Sequence, residues 1–332
     1  MKQGGFAPQG KWTGSALGGV KAPEALVLPN SGKRFSDTAA RLEALAAGHP
    51  MEDWLRFMAK LAHAQQAAVT VLSPLAGPEQ SAVEQAVDAR MPPLAADGHR
   101  REPTWRDGLA VLLDHFDDDP MPPQVQAVVA QLRARDAISI ENLADEFLHG
   151  NVEAADAGPV LYVAAALQVY FTRMAASLPA SALRLLPQRG LCPCCGSTPI
   201  AGLVTATGQT PGARYLYCSL CSTAWNHVRT VCITCGESRT VTLEGIEGDA
   251  GIVKAETCND CHTYAKMIYL ARDIKADPFA DDLASLGLDV LVAEAGWSRH
   301  APNPLLLVGE SEFQSDRQQT TDDTIRHHGK RH

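Results

Sequence analysis

The sequence predicts an α+β protein: an all-α N-terminal region, two tandem rubredoxin-like or zinc-ribbon metal modules, and a short C-terminal helical segment. Three observations carry this. Apolar residues recur at helical spacing as far as Pro187. All nine cysteines fall between Cys192 and Cys261, eight of them as four CxxC pairs. Helix-start signals return at Asp277. With 332 residues, 45% hydrophobic and 20% charged, the chain can build about two domains with real cores.

Residues 1–35 are rich in Gly and Pro without periodicity and read as a flexible lead-in. Helical text starts at Ser36 and Asp37 and stops at Gly48, a C-cap with Pro50 behind it. A long helix is expected over 51–72, where Trp54, Leu55, Met58, Leu61, Ala62, Gln65, Val69 and Leu72 share a helical period. Helices follow at 79–89, 104–116, 122–134 and 136–148, each led by proline, aspartate or another polar starter. The stretch 159–178 is the most apolar and is expected to form the centre of a bundle. Its apolar run, 160–172, contains Gln168 and reads as too short to cross a bilayer. No secretory-type apolar segment opens the chain, so the expectation is a cytoplasmic protein without membrane insertion.

The helical domain therefore spans 36–187, the metal modules 188–228 and 229–270, and the C-terminal helical segment 271–309. In that last segment Asp277 is the expected N-cap, Pro278 the first helical residue, and two carboxylates sit in the first turn. Residues 310–332 read as a disordered polar tail, in which His327, His328 and His332 are solvated side chains.

The cysteine region is a tandem repeat. Laying the chain on itself with Cys192 over Cys232 also places Cys195, Cys218 and Cys221 over Cys235, Cys258 and Cys261. The same register lays Arg189 on Arg229, Gly196 on Gly236, Leu203 on Leu243, Gly208 on Gly248 and Thr223 on Thr263. Each unit reads C-x2-C-x22-C-x2-C, which brings four thiolates into the tetrahedron favoured by zinc or by one rubredoxin-type iron. The glycine behind Cys195 and Cys235 supplies the positive φ that closes the turn. Pairing within each repeat is favoured, since each unit must stand alone, yet a pairing of Cys218 and Cys221 with Cys232 and Cys235 stays open. Four ligands leave no open position for Lewis-acid catalysis, and the sequence carries no paired catalytic carboxylates, G-x-S-x-G elbow or phosphate loop. A metal-bound module of about 40 residues also needs its ion to fold.

Other chemistries rank lower. Thiol–disulfide exchange suits one exposed pair in a βαβ setting, not four pairs in a repeat. Cys194, the spare thiol, falls on Thr234 and reads as a small residue of the turn. His227 and His262 lie just beyond the turns, where they could hydrogen-bond near the sulfurs. From Pro187 to Lys275, eight Lys and Arg face seven Asp and Glu, and two loaded sites bring this region to −3. With −9 over the whole chain, nucleic-acid binding by a zinc ribbon is disfavoured. A rubredoxin-like electron carrier is the other alternative, though it leaves the helical domain without a purpose.

The motif Arg41-Leu42-Glu43-Ala44-Leu45-Ala46-Ala47-Gly48-His49-Pro50, the paired CPxCG-type modules, and the closing stretch from Asp277 to Trp297 with Asn303-Pro304 resemble the formate dehydrogenase accessory protein FdhE family. The likeness runs over about 23–308. It implies a bacterial cytoplasmic maturation factor that contacts the catalytic subunit of respiratory formate dehydrogenase, a molybdenum or tungsten enzyme exported after folding. It further implies two iron ions in rubredoxin-like sites, with zinc as the substitute. Cys192, Cys195, Cys218 and Cys221 would hold one, and Cys232, Cys235, Cys258 and Cys261 the other. Cys194 departs from the family's turn, which generally lacks a third cysteine.

Overall fold

The sequence-predicted helices form in a computed structural model that describes residues 22–117, 121–207 and 210–306. They are α1 (Arg34–Ala46), α2 (Glu52–Val71), α3 (Gln80–Asp88), α4 (Thr104–Asp114), α5 (Pro123–Ala134), α6 (Ala137–His149) and α7 (Ala157–Ala176). Gly48 closes the end of α1 at φ 73°, and Asp136 caps α6 by accepting from the Ser139 amide at 2.8 Å. α7 lies at the centre, with Val160, Val163, Leu167 and Phe171 fully buried. The sequence reading of its length needs correction. The helical run Ala154–Ala176, 23 residues, is long and apolar enough to cross a membrane, because Gln168 and Thr172 interrupt the run without charging it. Here it is a core helix, 67% of its most apolar window being buried inside the protein.

Among the described residues the strands form one eight-stranded sheet, seven of them from the second half of the chain. β2 (Pro199–Val204), β3 (Arg214–Cys218) and β4 (Ala224–Asn226) come from the first module; β5 (Val241–Glu244), β6 (Val253–Cys258) and β7 (Thr263–Tyr269) come from the second. Within each module the strands are antiparallel, and the modules fuse through parallel pairing of β2 with β7. Gly202 lies opposite Met267 in that seam, where a Cβ would stand 2.5 Å from the Met267 sulfur. Two short strands finish the sheet: β1 (Leu26–Val27) on β4 and β8 (Ser298–Arg299) on β7.

β1 corrects the flexible lead-in expected over 1–35. In its described part, Leu26 and Val27 pair with Trp225 and Ala224, and α1 already starts at Arg34. A two-residue strand is too short to show a period in sequence, but it covers an edge that would otherwise stand open. Residues 1–21 of the lead-in and the tail from 307 lie outside the described residues.

The C-terminal segment forms α8 (Ala280–Ala284) and α9 (Leu286–Glu294). Asp277 accepts from the amides of Phe279 and Ala280 at 3.0 and 2.8 Å, but α8 starts only at Ala280, with Phe279 before it, so Pro278 is not the first helical residue that the sequence predicts. The two first-turn carboxylates do more than face a helix dipole. Asp281 takes a two-pronged bond from Arg41 of α1, at 2.9 and 2.7 Å. Asp282, fully buried, accepts from Arg299 and Asn303 and lies 3.4 Å from the buried Lys266 ammonium. These pairs fasten α8 to α1 on one side and to β7 and β8 on the other. One continuous core runs from Leu42 and Leu61 through Leu167, Leu216 and Trp225 to Met267 and Leu283.

Candidate metal centres

Each CxxC pair sits on a tight turn whose backbone closes on itself. In the first module the Gly196 amide donates to the Cys192 carbonyl at 2.9 Å, and the Cys192 amide to Ser197 at 2.9 Å. The second module repeats this with Gly236 to Cys232 at 3.1 Å and Cys232 to Glu237 at 2.7 Å. Gly196 and Gly236 hold φ near 80°, as the sequence predicts. The other turn of each module does the same without glycine: Ser222 and its repeat mate His262 sit at φ 59° and 51°. Extending the repeat alignment just past Cys221 and Cys261 would have paired these positions.

The turns bring Cys192, Cys195, Cys218 and Cys221 together, and separately Cys232, Cys235, Cys258 and Cys261, each set with its sulfurs within 4.8 Å of one another. The grouping is therefore within repeats, and the cross-repeat pairing that the sequence left open does not form. Sulfur–sulfur separations are 3.4 Å for Cys192–Cys221 and Cys195–Cys218, and 3.6 and 3.7 Å for Cys232–Cys261 and Cys235–Cys258. All nine cysteines are free thiols. A metal–sulfur bond of about 2.3 Å gives a tetrahedral edge of about 3.8 Å, so the donor sets have the size of a tetrathiolate site.

Backbone amides aim at these sulfurs, and threonine hydroxyls stand beside them. The Leu220 and Cys221 amides donate to Cys218 Sγ at 3.4 and 3.3 Å. Thr223 Oγ1 stands 3.2 Å from Cys221 Sγ, and its repeat mate Thr263 stands 3.1 Å from Cys261 Sγ. Thus the Thr223–Thr263 match has a function: a hydroxyl held beside the last sulfur of each quartet. Cys194 and Thr234 share a place as well: the Cys194 amide donates to Cys192 Sγ at 3.4 Å, and the Thr234 hydroxyl accepts from Thr263. The spare thiol thus takes the place of a hydroxyl behind the quartet. His227 bonds Arg214 at 2.6 Å, and His262 is an exposed turn residue; neither joins a quartet.

Electrostatics follow burial. In the first quartet, burial pushes the Cys192 and Cys218 thiols well above their usual range. Cys221, against its own burial, is drawn low because Cys192, Cys194, Cys195 and Cys218 all turn their thiols toward it. Four thiols buried side by side cannot all ionise unaided, and a bound cation is what would let them. In the second quartet Cys258 is brought to about 7: burial opposes ionisation, but the Cys261 and Asp260 amides more than offset it. Cys235, despite the Glu237 amide, is pushed up to about 12 by burial and by its thiol neighbours.

The two quartets differ in what covers them. The first is sealed beneath the helices, all four cysteines being 0–1% exposed. The amides of Leu94 and Ala96, in the loop after α3, donate to the carbonyls of Cys194 and Cys195 at 2.8 and 2.9 Å. Gln168 of α7 donates to the Ser219 carbonyl at 2.8 Å, Thr172 meets the Ser222 hydroxyl at 3.0 Å, and Arg34 of α1 donates to that same hydroxyl at 3.0 Å. None of these contacts carries a signal in the sequence. The second quartet lies at the surface, with Cys235 exposed and Cys261 half-buried. Between the modules, Arg214 binds Glu256 at 2.5 Å and the Val231 carbonyl, next to Cys232, at 2.8 Å.

Three consecutive family models match the chain: FdhE N-terminal over 23–187, FdhE central domain over 191–229 and FdhE C-terminal domain over 230–306. A protein named FdhE homolog from Edwardsiella ictaluri is 38% identical over 305 residues, covering 91% of this chain and 98% of its own. The homolog from Pseudomonas aeruginosa is 38% identical over 280 residues, covering 83% and 90%. The one from Rhizobium meliloti is 35% identical over 302 residues, covering 88% and 96%. The crystal structure of the FdhE protein from Pseudomonas aeruginosa superposes with a TM-score of 0.78 at 37% identity, covering 86% of this chain and all of that one.

Proposed function

Because this chain belongs to the FdhE family, we propose that it is a cytoplasmic accessory protein in the maturation of respiratory formate dehydrogenase, binding the immature catalytic subunit and not itself an enzyme. In this reading Cys192, Cys195, Cys218 and Cys221 hold one metal ion, and Cys232, Cys235, Cys258 and Cys261 a second, with iron as the natural occupant and zinc as the substitute. The observation that carries the reading is the pair of four-thiol clusters on one fused sheet, each of a size and donor set that suits a closed tetrahedral ion. Iron so bound would supply a one-electron couple without ligand loss; zinc would supply cohesion alone.

The chain's own residues do the rest. The turn amides stabilise sulfur charge, the Thr223 and Thr263 hydroxyls hold the last sulfur of each quartet in place, and the helical layer fixes the first module. Affinity capture from cells making formate dehydrogenase should recover its catalytic subunit with the wild-type protein. Recovery undiminished after Cys232→Ser with Cys235→Ser would refute a client-binding role for the second module. Anaerobically purified protein should carry two iron ions and thiolate-to-iron absorption; two zinc ions would reduce both sites to a structural role.

A further inference from the structure

The repeat makes a controlled comparison possible, since the same strand occurs in both modules under different cover. In the first module β2 is buried along its whole length, its outer edge filled by β7 running parallel to it. The matching strand of the second module, β5, ends the sheet among the described residues, and no strand lies beyond it. Leu203 is 5% exposed, while its repeat mate Leu243 is 45% exposed, and Ile246 beyond it is 41% exposed. Residues 242–250 are exposed without a break. We infer that the outer edge of β5 is a docking strand for an extended, basic segment of a partner polypeptide, which lies parallel to β5 as β7 lies parallel to β2.

The choice of occupant rests on charge and on the other end of the sheet. From 237 to 254 the chain carries Glu237, Glu244, Glu247 and Asp249 against Arg239, which pairs with Glu237, and Lys254, so the hairpin is acidic on balance. Two copies pairing β5 to β5 would set these carboxylates against one another, which opposes a homodimer here. A head-to-tail chain of copies needs the outer edge of β4, the repeat equivalent of β7, and β1 already occupies it. What fits is an extended segment with Lys or Arg facing the carboxylates and apolar side chains over Leu243 and Ile246. Val241 pairs with Cys258, so a strand seated on β5 would lie one strand away from a cysteine of the exposed quartet. This deepens the proposed function by placing the client surface, and for the identity of the client it rests on that reading.

The test uses the full chain in cells that make formate dehydrogenase, with p-benzoylphenylalanine in place of Leu243 and, as control, in place of Val27 on β1, the strand that ends the opposite side of the sheet. Irradiation should yield an adduct from position 243 and none from position 27. Mass spectrometry should map it to a Lys- or Arg-containing segment of the catalytic subunit. Adding Glu244→Lys with Glu247→Lys should lower the yield roughly tenfold, with the fold intact by circular dichroism. No adduct from 243, an adduct to a second copy, or a cross-link within the chain would each overturn the docking strand. An adduct mapped to a basic segment of a different protein would keep the strand and overturn the formate dehydrogenase reading.

Discussion

Gln168→Leu tests how the helices hold the first metal module. Gln168 and Gln65 are 2 and 3% exposed, so no solvent reaches their amides. Gln168 Nε2 donates to the Ser219 carbonyl at 2.8 Å, and its Oε1 accepts from Gln65 Nε2 at 2.9 Å. Leucine fills nearly the same space and makes neither bond. The Ser219 carbonyl then loses its donor from α7, and Gln65 keeps only the Ala165 carbonyl, at 3.0 Å. Each buried polar group left short costs about 1–3 kcal/mol, so the variant should lose about 2–4 kcal/mol. Urea denaturation followed by circular dichroism reads this directly. Gln65→Leu in the same chain removes the orphaned amide, so the double variant should be more stable than the two single losses predict by at least about 0.5 kcal/mol. A Gln168→Leu protein within about 0.5 kcal/mol of wild type would refute the account of how the helices grip the turn.

Other outcomes follow from the same geometry. Gly202→Ala drives a Cβ to 2.5 Å from the Met267 sulfur, in a seam where Met267 is 1% exposed, and should cost about 1–3 kcal/mol in thermal unfolding, relieved by Met267→Ala. Burial and then the neighbouring Arg214 and Arg299 hold His227 and His300 at about 4, against 6.5 when free. The unfolded chain therefore binds protons that the fold refuses; stability is full above about pH 6.5 and falls between there and pH 4, by a few kcal/mol in all. Urea midpoints at pH 7.5 and 5 measure this, and equal midpoints would contradict it. If both quartets hold ions, a chromogenic chelator should extract them in two phases, the fast one from the exposed Cys235 site and abolished by Cys235→Ser; a single phase would show that cover does not govern release.

The helices are legible because each buries one face, and a buried face leaves a period in the sequence: α2 places Leu55, Met58, Leu61, Ala62 and Gln65 inward. The quartets are legible for a different reason, since four thiols at fixed spacing constrain the backbone locally. Even the Thr223–Thr263 match can be read from the repeat before its hydroxyls have a role. β1 and β8 cannot be read, for two residues carry no period and their strand character comes entirely from β4 and β7. Nor can Asp281 and Asp282 be told apart from ordinary first-turn acids, because their partners Arg41 and Lys266 sit on other elements, α1 and β7. The contrast between a sealed and an open quartet is equally hidden. Gly196 and Gly236 close the same turn in both modules, and nothing in that local text says that Leu94, Gln168 and Arg34 converge on only one of them.

That contrast carries the functional logic. A duplicated module starts with two equal sites, and equality ends once one of them becomes part of a core. The first module's turns owe their satisfied carbonyls to the helices, and the helices owe part of their packing to its strands; losing either opens the same core. Movement there is coupled to global unfolding, which makes the first site a poor place to receive a partner. The second module joins that core through β7 at the β2 seam, but its outer strand β5 and its exposed sulfurs lie away from the seam, so they can change company while the core stays closed. A client that binds and leaves requires such a surface. If Cys195→Ser unfolded the helices while Cys235→Ser left them intact and lost only the client, the division of labour would stand; equal damage from both would mean that the two modules had never diverged in role.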